Sequence, residues 1–100
     1  MQLVQTTSYS PTPATGATAG TVFTADTARV YFQIQNVGTN PLYLKLGTGA
    51  SSSDYHEILK AGTGALDGSG GLYKSGTVVY TGAVSVGGTA PTYVAYELKP

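Results

Sequence analysis

The chain has 100 residues, no cysteine, no tryptophan and a formal net charge of zero, and only 10% of its residues are charged against about 25% in an ordinary globular domain. This size makes one domain, not two. A neutral chain with one Arg has no electrostatic footprint for nucleic acid or an anionic membrane, and without cysteine there is no disulfide framework or thiolate chemistry.

The opening run Met1 to Thr7 has no basic residue ahead of an apolar stretch, so no secretory leader is expected, and no stretch approaches membrane-spanning length. Residues 1–20 differ from the rest: after Tyr9 comes Ser10-Pro11-Thr12-Pro13-Ala14-Thr15-Gly16-Ala17-Thr18-Ala19-Gly20, without charge or periodicity. This composition reads as an extended arm or linker, within which Leu3 and Val4 could pair as an edge strand or fray.

From Thr21 the period is two. Val22 and Phe23 open a short strand, and Asp26-Thr27 turns it. Arg29 to Val37 then alternates, with Val30, Phe32 and Ile34 expected on the buried side and Arg29, Tyr31, Gln33 and Gln35 on the wet side. Gly38-Thr39-Asn40-Pro41 is a turn, and Leu42-Tyr43-Leu44-Lys45-Leu46 returns with its leucines inward. The two segments are expected to form a hairpin. After the loop Gly47 to Ser53, Asp54 to Lys60 reads as a strand. A glycine-rich loop, Ala61 to Gly71, leads to short strands at Leu72 to Lys74, Thr77 to Tyr80, Ala83 to Val86 and Thr92 to Leu98. No window has a useful helical period. The expected fold is all-β: a single small, jelly-roll-like β-sandwich of about seven or eight short antiparallel strands over residues 21–100, with an extended N-terminal arm over residues 1–20.

Catalysis needs titratable groups brought together. The only cluster is Asp54, His56 and Glu57, with Ser51 to Ser53 just before it. Neighbours on one strand cannot all reach each other's working atoms, whereas a triad gathers its members from separate elements. One His fits no zinc spacing, and Asp67-Gly68-Ser69-Gly70 lacks the further acidic ligands of a calcium loop. Neither glycine-rich stretch runs from a strand into a helix, as a phosphate cradle does. The expectation is no enzyme, no cofactor and no metal.

The remaining feature is 8 tyrosines against 2 phenylalanines. Tyr31 and Tyr43 lie opposite the apolar side of the expected hairpin, on a face with Gln33, Gln35 and Lys45. Outward aromatic residues with few charges are how contact surfaces look, although tyrosine also favours strands and can lie half-buried in any sandwich. The candidate interface residues are Leu3, Val4, Tyr9, Pro11 and Pro13 in the arm, and Tyr31, Gln33, Tyr43 and Tyr55 in the strands.

The run from Arg29 to Gly47, with its QNVGTNPLY turn, resembles small virion structural proteins of tailed bacteriophages. The same holds for Ala50 to His56, Ile58 to Gly62, Tyr80 to Val86 and Tyr93 to Leu98. The pattern is similar to capsid decoration (cement) proteins and to modules of head or tail fibres. Residues 1–20 lie outside it. The resemblance implies a β-sandwich made in the host cytoplasm and added to the capsid surface. There it would bind the major capsid protein and neighbouring copies of itself, as a homotrimer, and would bring no catalytic residues. A tail or head-fibre module contacting neighbouring virion proteins or host glycans is the alternative.

Overall fold

Alternation at period two leaves each strand with one apolar side, and two sheets stacked face to face bury both sets at once. The computed structural model describes residues 9–100. Through them run β1 (Ser10–Gly16), β2 (Gly20–Phe23), β3 (Tyr31–Asn36), β4 (Leu42–Leu46), β5 (Glu57–Leu59), β6 (Leu72–Lys74), β7 (Val84–Gly87) and β8 (Tyr93–Lys99). They form two four-stranded sheets, ordered β1-β8-β3-β6 and β2-β7-β4-β5, and every ladder is antiparallel. Most connections cross from one sheet to the other, and the two interleaved orders are those of an eight-stranded jelly roll.

The first sheet sends Phe32, Ile34, Tyr93 and Ala95 into the core; the second sends Phe23, Leu42, Leu44, Leu59, Val84 and Val86 to meet them. Phe32 sits at the centre, edge-on to Phe23 at 6.0 Å and tilted against Tyr73 at 5.5 Å. Each buried Val, Leu, Ile or Phe among them contributes about 1.5–3 kcal/mol.

The segments expected to form a hairpin do not pair. β3 pairs with β8 and β6, and β4 pairs with β5 and β7. The turn between them crosses the core edge, so their apolar sides face each other instead of lying side by side. Asn36, fully enclosed, holds this crossing. Its Nδ2 donates to the carbonyls of Asn40 at 2.8 Å and of Leu59 and Lys60 at 3.1 Å. Its Oδ1 accepts from the Gly38 N–H at 3.0 Å. Gly70 packs on the Asn36 carbonyl so closely that a Cβ there would collide with the oxygen.

The expected phase also fails at the start of this segment. Regular pairing of β3 begins only at Tyr31, so Val30 is 40% exposed and Arg29 is buried at 2%. A turn closed by the Arg29 N–H on the Asp26 carbonyl swings the arginine under the sandwich. There its guanidinium donates to Glu97 and to the carbonyls of Tyr80, Gly82 and Thr24.

The strand expected over Thr77 to Tyr80 is an irregular connection, and that over Asp54 to Lys60 shortens to β5. The arm reading is corrected from Ser10 onward. β1 is extended but pairs residue by residue with β8, from Ser10 opposite Lys99 to Gly16 opposite Tyr93. Two prolines spaced by two are compatible with this because β1 is an edge strand, whose outward side needs no N–H donor. Apart from Thr12 and Thr15 the segment has no strand formers, yet backbone pairing does not require them.

Candidate functional site

The outer face of the β1-β8-β3-β6 sheet is an ordered surface of tyrosine, glutamine and aliphatic side chains. In β3, Tyr31, Gln33 and Gln35 alternate with the buried Phe32, Ile34 and Asn36. The register sets Tyr31 opposite Leu98, Gln33 opposite Tyr96 and Gln35 opposite Val94. On the other flank Gln33 faces Lys74 and Gln35 faces Leu72. The Gln33 Oε1 accepts from both phenols, Tyr31 at 2.8 Å and Tyr96 at 2.9 Å. The two rings lie 6.0 Å apart, tilted by 42°. Burial, with Tyr96 adding to it, pushes the Tyr31 phenol above its ordinary value, so it stays a neutral donor. Gln35 is tied by its Nε2 to the Gly68 carbonyl at 3.3 Å.

Such a lattice suits contact with another protein. Its side chains are already held, so docking would freeze little rotamer freedom. Lys74 is the single charge among these outward strand positions of β3, β6 and β8, so little charge would be desolvated.

The candidate interface residues do not share one surface. Tyr31 and Gln33 belong to this face, and Pro11 and Pro13 stand in register with Leu98 and Tyr96 on the adjoining edge strand. Tyr9, exposed, precedes β1. Tyr43 and Tyr55 lie on the opposite side of the sandwich, their ring centroids 5.0 Å apart. Tyr31 and Tyr43 are both outward, as their phase predicts, but on opposite faces. Leu3 and Val4 lie outside the described residues. Tyr96, Val94, Leu98 and Leu72 complete the lattice without having been singled out. The in-phase run Tyr93, Ala95, Glu97 was the signal that put Val94, Tyr96 and Leu98 on the other side.

The titratable cluster is dispersed into separate structural bonds. Asp54 pairs with the Lys45 ammonium at 2.6 Å. His56 Nδ1 accepts from the Leu46 N–H at 3.0 Å, and the His56 backbone N–H donates to the Leu44 carbonyl at 2.7 Å. Glu57 is exposed on β5. Asp67 closes its own loop by accepting from Ser69 and Thr63, contacts that hold its carboxyl below the ordinary value, Ser69 foremost. Among the described residues no three His, Asp or Glu side chains gather as a metal set, and no helix is long and apolar enough to cross a membrane.

A scan of protein-family models, a search of curated proteins and a search of solved structures each find no match to this chain.

Proposed function

We propose that the chain is a virion structural protein of a tailed phage, a capsid decoration protein that binds the assembled head and stabilises contacts between capsid subunits. The observation that carries this reading is the outer face of the β1-β8-β3-β6 sheet, where Gln33 clamps Tyr31 and Tyr96 in a nearly uncharged surface. The jelly-roll strand order supports it as a fold used for shell building, although that fold also serves lectins and enzymes. The resemblance of residues 29–98 to small virion proteins supplies the partner: the major capsid protein, with copies of this chain beside it.

Mechanistically the protein is a clamp. Its docking free energy is available only where assembled subunits present a joint, so it favours the closed shell by mass action. It needs no turnover, cofactor or metal for this. Cryo-electron microscopy of purified virions tests the reading: density for the sandwich is expected on the head, with the Tyr31 face against capsid protein. Density in the tail alone would overturn it.

A further inference from the structure

On the side of the sandwich away from the Tyr31 lattice, a cleft of about 480 Å³ opens over β4. Its walls come from three strand crossings: Ala19 between β1 and β2, Asn40 between β3 and β4, and Thr89 between β7 and β8. The loop after β4 closes the fourth side with Ser51 and Ser52, and the ring of Tyr43 contributes the aromatic surface. This loop is pinned: the Ala50 N–H donates to the enclosed Ser85 hydroxyl at 3.0 Å, and Ser51 and Asp54 exchange backbone hydrogen bonds at 3.0 and 3.2 Å. Gly88 keeps the space beside the ring open. Its φ is +127°, and a Cβ there would lie 2.8 Å from the Pro41 carbonyl oxygen and 3.2 Å from the Tyr43 ring.

The chemistry of the lining restricts the ligand. The volume falls in the range of small-molecule sites, about 300–1,000 Å³. No charged side chain lines the cleft, so a charged ligand would lose water without gaining a counter-charge. A wholly apolar ligand would strip water from the Asn40 amide and the Ser51, Ser52 and Thr89 hydroxyls without replacing their bonds. The Asn40 amide and the hydroxyls of Ser52 and Thr89 make no hydrogen bond to another described residue. One class combines a flat aliphatic ring face, hydroxyls around its rim and no charge.

We infer that this cleft binds a neutral saccharide, stacked on Tyr43 and hydrogen-bonded by Asn40, Ser51, Ser52 and Thr89. Such a site lies on the opposite sheet from the face assigned to capsid contact, so the two readings succeed or fail separately. A decoration protein with this cleft would present a sugar site to the exterior.

The test is titration of the isotopically labelled full chain, followed by amide shifts, with glucose, galactose and N-acetylglucosamine in separate arms and glucose 6-phosphate and sialic acid as charged arms. At least one neutral sugar is expected to shift the amides of Asn40, Tyr43, Ser51 and Thr89 saturably, with affinity above both charged sugars. Tyr43→Ala is expected to remove the effect while Tyr43→Phe keeps it, and Thr89→Val should weaken it about tenfold, as loss of one hydrogen bond to the ligand does. The same spectra report whether each variant is folded. Absence of shifts with all three neutral sugars at millimolar concentrations, tighter binding of a charged sugar, or undiminished binding by folded Tyr43→Ala protein would each overturn the inference.

Discussion

Arg29 and Glu97, 68 residues apart, form an ion pair sealed beneath one end of the sandwich, with Nε donating to Oε2 at 2.7 Å. The guanidinium lies over the rings of both Phe23 and Phe32, 5.4 and 5.5 Å from their centroids. It also ties the carbonyls of Thr24, Tyr80 and Gly82 to β8, so one side chain joins both sheets and an irregular connection. The geometry is that of a buried pair in which every guanidinium nitrogen has an acceptor, which is what makes such a pair tolerable in a low-dielectric interior.

Removing one partner leaves the other charge buried. Arg29→Met and Glu97→Leu are each expected to cost about 3–5 kcal/mol in denaturant unfolding, a large share of the roughly 5–15 kcal/mol available to a domain. The double variant should lose clearly less than the sum of the two. Strict additivity would mean that the two charges are not coupled.

This pair also marks where the sequence stops being legible. Alternation correctly gives the inward set Phe32, Ile34, Leu42 and Leu44 and the outward set Tyr31, Gln33 and Tyr43. It gives phase, though, not neighbours. A short turn between two alternating segments is equally compatible with a hairpin and with a crossing between sheets. What decides for crossing here is the Asn36 amide bonding to carbonyls near β5, a contact between distant parts of the chain. Arg29 was misplaced for a related reason, since period two holds only within a paired strand and β3 begins at Tyr31. The Tyr31–Gln33–Tyr96 cluster was half visible, because Tyr96 joins it only through the β3–β8 register.

Acid should weaken the fold through Asp26. The Ala28 N–H, donating at 2.9 Å, and then the Lys99 ammonium at 3.0 Å hold its carboxyl below the ordinary value of 3.8. A carboxyl with a lowered native pKa stabilises the fold above its unfolded value, and that contribution fades as pH falls through the native one. Melting temperature should therefore decline below about pH 4, and Asp26→Asn should flatten the decline. Lys99 has the opposite sign: Asp26 and Glu97 raise its pKa above 10.5, so its contribution persists up to that pH and is lost as pH rises through the higher native value. An identical acid limb in the Asp26→Asn protein would discount this account.

Gly70→Ala is expected to be severely destabilising, since the new methyl would strike the Asn36 carbonyl oxygen, a backbone atom held in the β3–β4 crossing. Gly76→Ala provides the contrast. No atom lies within 4 Å of its Cβ position and its φ is not in the left-handed region. That substitution should leave stability unchanged or raise it by about 0.4–1 kcal/mol by restricting the unfolded chain. Thermal unfolding of the two variants side by side makes the comparison.

On the proposed contact face, Gln33→Glu would place a carboxylate beside two phenols that now share a neutral acceptor. Because Gln33 lies on the outer surface, the stability change should be small, on the order of 1 kcal/mol or less. Cosedimentation with heads lacking the protein should fall by more than tenfold, as a charge desolvated at an interface without a partner costs several kcal/mol. Undiminished sedimentation would remove this face from the contact.

Truncation separates an arm from a strand. Deleting residues 2–13 removes the pairings of Ser10 to Pro13 with Tyr96 to Lys99, leaving about half of β1 in place. The outer side of β8 along those residues would become a row of unpaired donors and acceptors, a template for pairing with another chain. The truncated protein is accordingly expected to melt at a lower temperature and to self-associate at high concentration, with β8 amides from Tyr96 to Lys99 exchanging faster than in the full chain. Deleting a free arm would change neither melting nor exchange. The readout therefore distinguishes an N-terminal segment that acts only in attachment from one whose residues 10–16 close the sheet beside the Tyr31 lattice.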